Sequence, residues 1–534
     1  ADPRFQELIS PAAEAALIVE QTGFSEHEVQ DRLRSVVTMV REVNLRVVVA
    51  HEAVNPEGVE FLWSLPSKVV PLLTKLKGPS RPLPIVEDIA VPPEALQEFL
   101  VSSQKVFQKH QVTASLYAHA ASGQLHLRPF LPPPTTTLDG TQLESLARDL
   151  YQAVRSVGGS ISGEHGDGLA RTAFIRSQYG PLYKVFQQIK DIFDPHNLLN
   201  PGKIISDDAH ITAKNFRPAP SASAEFVELQ LNWTPNQMTE EAGRCNGCGV
   251  CRTHSPDLRM CPFFRIDPVE DASPRSKANV IRNVMTGATS PEAFASDEMK
   301  HLANLCFNCK QCELECPSNV KIPRLMVEAK AAYVTANGLS WGDWILSRAH
   351  SLGAVGSTVS FLTNWMIRHP TARWLMEKLL GISRHRKLPL FARRSFLRSI
   401  RPETLGNNFT NGHKPVVYFV GDYANYYDPE LAEAFVAILQ HHDIPVIVPK
   451  DQTTSGMAMI SAGDLDAGRD AAQTNLRVLG DYAREGIPIV CTEPSAALAL
   501  KQEYPALLNH PDVDLVAEQT IEAGVFLENL HKQG

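Results

Sequence analysis

The sequence predicts a multidomain α+β chain, with an antiparallel-sheet domain first, a helical domain around cysteines next, and an α/β domain at the C-terminus. Three observations carry this expectation. Residues 1–212 alternate strand-like and helix-like segments around a histidine-bearing hairpin. Eight of the nine cysteines fall into two short runs between residues 245 and 316. From residue 414 onward, short apolar segments alternate with amphipathic helices, the rhythm that builds a small parallel sheet. The expected divisions are 1–212, a linker at 213–238, a cysteine domain at 239–335, a basic helical connector at 336–412, and 413–534.

In the first domain, Glu14 to Val19 is helix-like and RVVVAHE, near residue 46, reads as a strand. PPEALQEFLVSSQKVFQKHQ, from Pro92, reads as a helix opened by proline, whose fixed φ suits a first turn. SLYAHAASGQLHLRPF, from Ser115, reads as two strands around a Ser-Gly turn. TQLESLARDLYQAVRSVGG is a helix ended by glycine. FRPAPSASAE has linker composition. In the last domain VVYFVG, PVIVP and IPIVCT read as strands. DPELAEAFVAILQHH (Asp428 as N-cap), LDAGRDAAQTNLRVLGDYAREG and PSAALALKQEY read as helices.

A chain of 534 residues can bury about three separate cores. Hydrophobic content of 43% excludes a disordered chain, and a net charge of −8 excludes a nucleic-acid binder by overall charge. No signal peptide leads the chain, which starts at Ala1, as a fragment or a processed chain would; the expected compartment is cytoplasmic. Ala349 to Ile367 is the longest stretch without formal charge, yet His350, Asn364 and several Ser/Thr make it too polar for a spanning helix. The basic segment after it, from Arg368 to Arg401, leaves two readings: a solvated connector docked on neighbouring domains, or a peripheral contact with the inner face of the cell membrane.

The first cysteine run is Cys245, Cys248, Cys251, then Cys261 before Pro262. The second is Cys306, Cys309, Cys312, then Cys316 before Pro317, which is the ferredoxin-type run C-x2-C-x2-C-x3-C-P. Three thiolates at i, i+3 and i+6 wrap a compact cluster when the backbone coils around it, and a distant fourth closes the site. A zinc site usually shows two separated C-x2-C pairs, and disulfides need an oxidising compartment. The expectation is two [4Fe-4S] clusters with crossed ligation: Cys245, Cys248, Cys251 and Cys316 on one, Cys306, Cys309, Cys312 and Cys261 on the other. Cys491, within IPIVCT, is expected in the core.

Two histidines bracketing a tight turn, His119 and His126 in HAASGQLH, can converge on one metal ion, with a carboxylate from another loop completing an open site. Histidines on a strand are also ordinary polar surface. The loop GGSISGEHGDG offers Glu164 and His165, and its glycines let backbone approach a bound group closely.

PIVEDIAVPPEAL (84–96), HAASGQLHLRPF (119–130), GGSISGEHGDGLAR (158–171) and FDPHNLLNPGKI (193–204) together resemble the C-terminal cap domain of FAD-linked oxidases of the vanillyl-alcohol-oxidase type. Within that group they are most similar to D-lactate, glycolate and D-2-hydroxyglutarate dehydrogenases. Followed by two ferredoxin-type runs, the domain resembles that of bacterial FAD/iron–sulfur fusion dehydrogenases. The resemblance implies an antiparallel-sheet FAD-oxidase cap domain and a divalent metal, zinc or manganese, on His119, His126 and Glu164. It implies His165 as the base, and flavin contacts from the Asn200, Pro201, Gly202 and Lys203 loop. Where the family has H-x-G-D-G-N-x-H, this chain has Ala121, Ser122 and Gln124, and its usual arginine in LWSLPSKVV is Pro66. Lys68, Arg128 and Arg171 are the substitutes for the substrate carboxylate. The family's FAD-binding domain precedes the cap domain and is expected either upstream of these residues or on a separate chain. GDYANYYDPEL, SGMAMISAGDL and TEPSAALALKQEYP resemble the CCG domain of respiratory iron–sulfur subunits, with Asp422, Thr454, Ser455 and Ala496 where that domain has cysteines. That implies a scaffold or docking surface with no third cluster. The implied function is oxidation of a small D-2-hydroxy acid, with electrons passing from FAD through two [4Fe-4S] clusters to a quinone or a carrier protein. A pure electron-transfer subunit, its flavin on another chain, is the rival.

Overall fold

The computed structural model describes residues 8, 13–43, 51–74, 80–131, 137–214, 228–256, 258–400 and 414–533. The expected strand near residue 46 and the FRPAPSASAE linker lie outside these residues in whole or in part. The chain divides into two compact units, residues 1–217 and 218–534, and both mix helices with small sheets.

The first unit is built on an antiparallel sheet of β1 (Arg81–Pro82), β2 (Ile89–Ala90), β3 (Ala114–His119) and β4 (Gln124–Leu131). The long strand β4 pairs with all three others. The β3–β4 turn is closed by Gly123 at φ +70°, and a Cβ there would sit 1.9 Å from the Val91 carbonyl oxygen, so only glycine fits. Helices Leu96–Lys109 and Thr137–Ser156 cover the sheet, burying Phe99, Leu146, Leu150 and Tyr151 against Ile89 and Leu125. The helix-like stretch from Glu14 to Val19 forms no helix; the first long helix is Glu26–Val43, and it buries none of its side chains. Apolar content there reflects no amphipathic stripe with a core to meet.

The second unit carries the cysteine loops among short helices. Their core, including Met238, Ile281, Leu325 and Met326, gathers around the helix Ile322–Asn337. The same helix gives Val327 and Ala331 to the core beneath the C-terminal sheet, so the cysteine region and that sheet share one packed element. The sheet is parallel, in the order β6 (Val446–Ile447), β5 (Val416–Phe419), β7 (Ile489–Cys491), β8 (Thr520–Glu522). Cys491 is fully buried in β7. Asp428 occupies an N-cap position without a side-chain bond to the helix it precedes. The uncharged stretch from Ala349 is two helices, Ala349–Thr358 and Ser360–Arg368, broken at Val359. No helix among the described residues is long and apolar enough to cross a membrane.

Candidate functional site

The antiparallel register sets Tyr117 opposite His126 and His119 opposite Gln124. Cross-strand partners and residues two apart share a face, so all four side chains emerge together. The His119 and His126 rings are 5.4 Å apart, and Tyr117 stacks on His126 at 5.5 Å. The loop after Ser160 comes to the same face because Ser160 bridges to Ala90 at the end of β2.

Glu164 is where these parts meet. Its Oε1 lies 3.4 Å from His126 Nε2, 3.6 Å from His165 Nε2 and 3.9 Å from His119 Nε2. His165 stacks on His126 at 5.2 Å. Burial lowers the His126 pKa, with His165 and His119 acting in the same direction against Glu87 and Glu164, so its imidazole is biased to the neutral form a metal requires. His126 Nδ1 is buried without a hydrogen bond, and the nearest carboxylate oxygen, on Glu87, is 4.0 Å away. Ligand atoms of Asp88, His126, Glu164 and His165 lie within 4.8 Å of one another, a donor set suited to a zinc- or manganese-class ion, and the expected ligand His119 stands outside that group, at its edge.

The residue that sequence reasoning missed is Asp88. It is fully buried, adopts φ +69°, and its two oxygens accept bonds from the backbone N–H groups of Gly163 (3.0 Å), Glu164 (2.9 Å) and His165 (2.8 Å). Ser162 Oγ (3.1 Å) and Gln124 Nε2 (3.1 Å) add two more. Burial alone would raise this carboxyl's pKa; the Glu164 and His165 amides, with Gln124 and Ser162, outweigh it and hold it at about 2. Asp88 is saturated by these donors, so it fixes the loop that presents Glu164 and His165. Gly163 is required beside it, since a Cβ would come within 2.9 Å of Asp88 Oδ1. The signal was present in VEDIA: a carboxylate inside an apolar run is buried with partners or not at all.

Arg171 is also buried. Its Nε and Nη1 donate to the carbonyls of Ile161 (2.8 Å) and Gly166 (2.7 Å), and its Nη2 to that of Glu87. Arg128 pairs with the Glu87 carboxylate. The Lys68 side chain lies outside the described residues. Asn200, at φ +49°, and Gly202, at φ +76°, shape an exposed turn in which Lys203 Nζ bonds Asn200 Oδ1 at 3.1 Å. Leu198 and Leu199 stand exposed beside it.

In the second unit the two cysteine loops have the same backbone plan. Gly247 and Gly249 in the first, and Asn308 and Lys310 in the second, take positive φ between 60° and 77°, two and four residues after the leading cysteine. These left-handed steps coil the chain around its own sulfurs. In the second loop, Glu503 holds both non-glycine residues, bonding Asn308 Nδ2 at 2.9 Å and Lys310 Nζ at 2.8 Å. One pocket is lined by Cys261, Cys306, Cys309 and Cys312 together. Cys251 and Cys316 both lie within electrostatic reach of Cys245 and Cys248. Burial raises the thiol pKa at Cys251, to about 11, and at Cys306, Cys312 and Cys316. Such sulfurs become thiolates when a cation offsets the desolvation cost, which iron does. Lys277 is buried among them: burial lowers its pKa, while Cys261, Cys306, Cys312 and Cys251 oppose that effect, and its Nζ donates to the Ala272 carbonyl at 2.7 Å.

At the positions where the CCG pattern has cysteines, Thr454 Oγ1 donates to Asp422 Oδ2 at 2.7 Å, and Ser455 and Ala496, which fill the pattern's other two places, are buried.

Comparison with known proteins matches a stretch of each unit. Residues 3–204 match the family model described as FAD linked oxidases, C-terminal domain, and residues 244–321 match the 4Fe-4S dicluster domain. The chain thus carries an FAD-oxidase C-terminal domain joined to a 4Fe-4S dicluster domain. Among its relatives is the D-2-hydroxyglutarate dehydrogenase of Escherichia coli (strain K12), 24% identical over 91% of this chain and 52% of that protein. One subunit of the anaerobic glycerol-3-phosphate dehydrogenase of the same organism is 28% identical over 50% of this chain and 63% of its own length. A D-lactate dehydrogenase of Archaeoglobus fulgidus is 30% identical over 22% of this chain and 26% of that protein. The chain spans about half the length of the D-2-hydroxyglutarate dehydrogenases it matches.

Proposed function

We propose that this chain takes part in FAD- and iron–sulfur-dependent oxidation of a D-2-hydroxy acid of the D-lactate, glycolate or D-2-hydroxyglutarate class. The observation that supports it best is the convergence of Glu164 with His119, His126 and His165 in a unit joined to two cysteine loops, with Cys261, Cys306, Cys309 and Cys312 lining one pocket. His119, His126 and Glu164 would hold a zinc or manganese ion, which supplies Lewis acidity toward the substrate's hydroxyl and carboxylate oxygens. His165 is the base: its half-exposed imidazole receives the hydroxyl proton at Nε2, and its backbone is fixed by Asp88. Arg128, two residues along the same strand face as His126, is the candidate for the substrate carboxylate. Arg171 we assign to bracing the loop, because its donors are taken by backbone carbonyls. Asn200, Gly202 and Lys203 form the flavin-facing turn of a cap domain. FAD would supply the hydride acceptor, and the eight cysteines, in the crossed pattern, would hold two [4Fe-4S] clusters whose chemistry is one-electron transfer toward a quinone or carrier protein at or near the inner face of the membrane.

The match to a glycerol-3-phosphate dehydrogenase subunit favours a second reading, in which this chain is the electron-transfer subunit and the flavin sits on another chain. Anaerobic mixing of the purified protein with each hydroxy acid, followed at the cluster absorbance near 400 nm, tests both. Bleaching by a D-2-hydroxy acid, lost in His165→Ala, is expected. FAD-containing protein whose clusters no hydroxy acid reduces would overturn the first reading.

A further inference from the structure

Three consecutive helices of the second unit are packed with their small or polar residues inward and their large apolar residues outward. In Ala349–Thr358 the buried positions are Gly353, Gly356 and Ser357. A Cβ on Gly353 would lie 2.7 Å from the Tyr426 ring, and one on Gly356 2.6 Å from that of Phe391, so this face is the one pressed on the protein. The opposite face presents Leu352 and Val355 to solvent. In Ser360–Arg368 only Ser360 is buried, while Phe361 is 90% exposed beside exposed Leu362 and Trp365. In Pro370–Leu380 the buried side chain is Arg373, which donates to the Ser383 carbonyl at 2.8 Å, and Trp374, Leu375 and Leu379 face outward. A fold buries Trp, Phe and Leu unless something else covers them.

Charge identifies the cover. Residues 341–400 carry ten Lys/Arg against two acidic groups, Asp343 and Glu377, in a chain whose net charge is −8. Arg368, Lys378, Lys387, Arg393 and Arg394 are exposed on these helices and the segment that follows. A second copy of this chain would bring a like-charged field against the first. An anionic lipid surface complements it, and tryptophan rings favour the headgroup level of a bilayer. No described helix is long and apolar enough to cross a bilayer, so contact with lipid here would be interfacial.

We propose that the face formed by Leu352, Val355, Phe361, Leu362, Trp365 and Leu379, in a segment whose exposed charge is mostly basic, docks the second unit onto an anionic bilayer. A pocket of about 650 Å³ lined by Trp344, Leu352, Val355, Thr454 and Met459 shares two residues with this face. The helix Met457–Ala462, which carries Met459, is tied to the second cysteine loop through Lys330 Nζ, bonded to the carbonyls of Cys306 (2.8 Å) and Ser461 (3.0 Å). Docking therefore brings a cavity next to that loop to the lipid. Only this consequence rests on the quinone reading above; the docking itself is measured without substrate or turnover.

Co-sedimentation of the whole purified chain with vesicles is the test. Phosphatidylcholine vesicles containing about 30% phosphatidylglycerol should retain it at about 0.1 M salt, with pure phosphatidylcholine retaining far less and about 0.5 M salt releasing much of it. Neutralising Lys387, Arg393 and Arg394 to Gln should weaken partitioning on the order of a hundredfold. Phe361→Ser with Leu362→Ser should abolish quenching of tryptophan emission by brominated lipid. Equal retention on neutral and anionic vesicles, or no retention of the unaltered chain, overturns the proposal. So does a concentration-dependent dimer that the Phe361→Ser/Leu362→Ser pair dissociates while vesicle binding is absent.

Discussion

Replacing Asp88 with Asn isolates the feature that organises the first unit's site. Asn tolerates the left-handed backbone found there, so the substitution leaves φ +69° unstrained. It removes the charge and one of two acceptor oxygens. Whichever way the amide turns, its NH2 group faces donors: Gly163, His165 and Ser162 on one side, or Glu164 and Gln124 on the other. The Arg171 guanidinium, 3.8 Å away and buried, loses its nearest carboxylate. A lost charge-assisted bond plus a stranded buried donor amounts to about 2–4 kcal/mol. Part of that is pH-dependent. The folded pKa of about 2 lies below the ordinary 3.8, so the stabilisation is fully present above about pH 4 and fades as pH falls through about 2. The shift corresponds to about 2 kcal/mol. Hydrogen exchange of the 163–165 amides is the assay, with the first unit's unfolding as a second readout. Exchange should accelerate in the variant by a factor on the order of thirty or more at neutral pH, and the gap should narrow below pH 4. Unchanged exchange, with stability within about 0.5 kcal/mol, would refute the assignment.

Cys316→Ser should perturb the cluster bound by the 245–251 triplet, read as loss of one EPR signal; a change confined to the 306–312 cluster means the crossed ligation is wrong. Lys277→Gln keeps a donor for the Ala272 carbonyl but removes a buried positive charge beside the sulfurs. Reduced clusters are more negative, so their potential should fall by about 50–100 mV, and redox titration showing no shift would contradict this electrostatic role. His126→Ala should abolish stoichiometric zinc or manganese binding measured on the purified protein while both clusters stay intact; undiminished metal content would place the ion elsewhere.

The two cysteine runs and the HAASGQLH and GEHGDG segments carried most of the site in the sequence, because ligand chemistry is written as residue type and short spacing. The apolar rhythm of VVYFVG and IPIVCT likewise foretold β5 and β7. What escaped was long-range. Asp88 works through amides some 75 residues away: VEDIA marks a buried carboxylate that needs partners, but not which distant loop supplies them. Glu503 similarly fixes Asn308 and Lys310 from nearly 200 residues off. β8 was not read because TIE is only three residues long and gains its place by pairing with β7. The stretch from Glu14 to Val19 erred the other way: composition favoured a helix, but its side chains are exposed, with no packing among the described residues to stabilise one. The outward apolar face of residues 349–380 was ambiguous for a related reason, since a stripe of large residues looks the same in sequence whether it faces a core or leaves it.

Iron and acid-labile sulfide analysis after anaerobic reconstitution bears most directly on the central claim that two sulfur cages share one chain. About eight irons and eight sulfides per polypeptide, with EPR of the reduced protein showing two interacting [4Fe-4S] centres, is the expected result. Protein that binds about one or two zinc ions and no sulfide, or that saturates at about four irons, would contradict it.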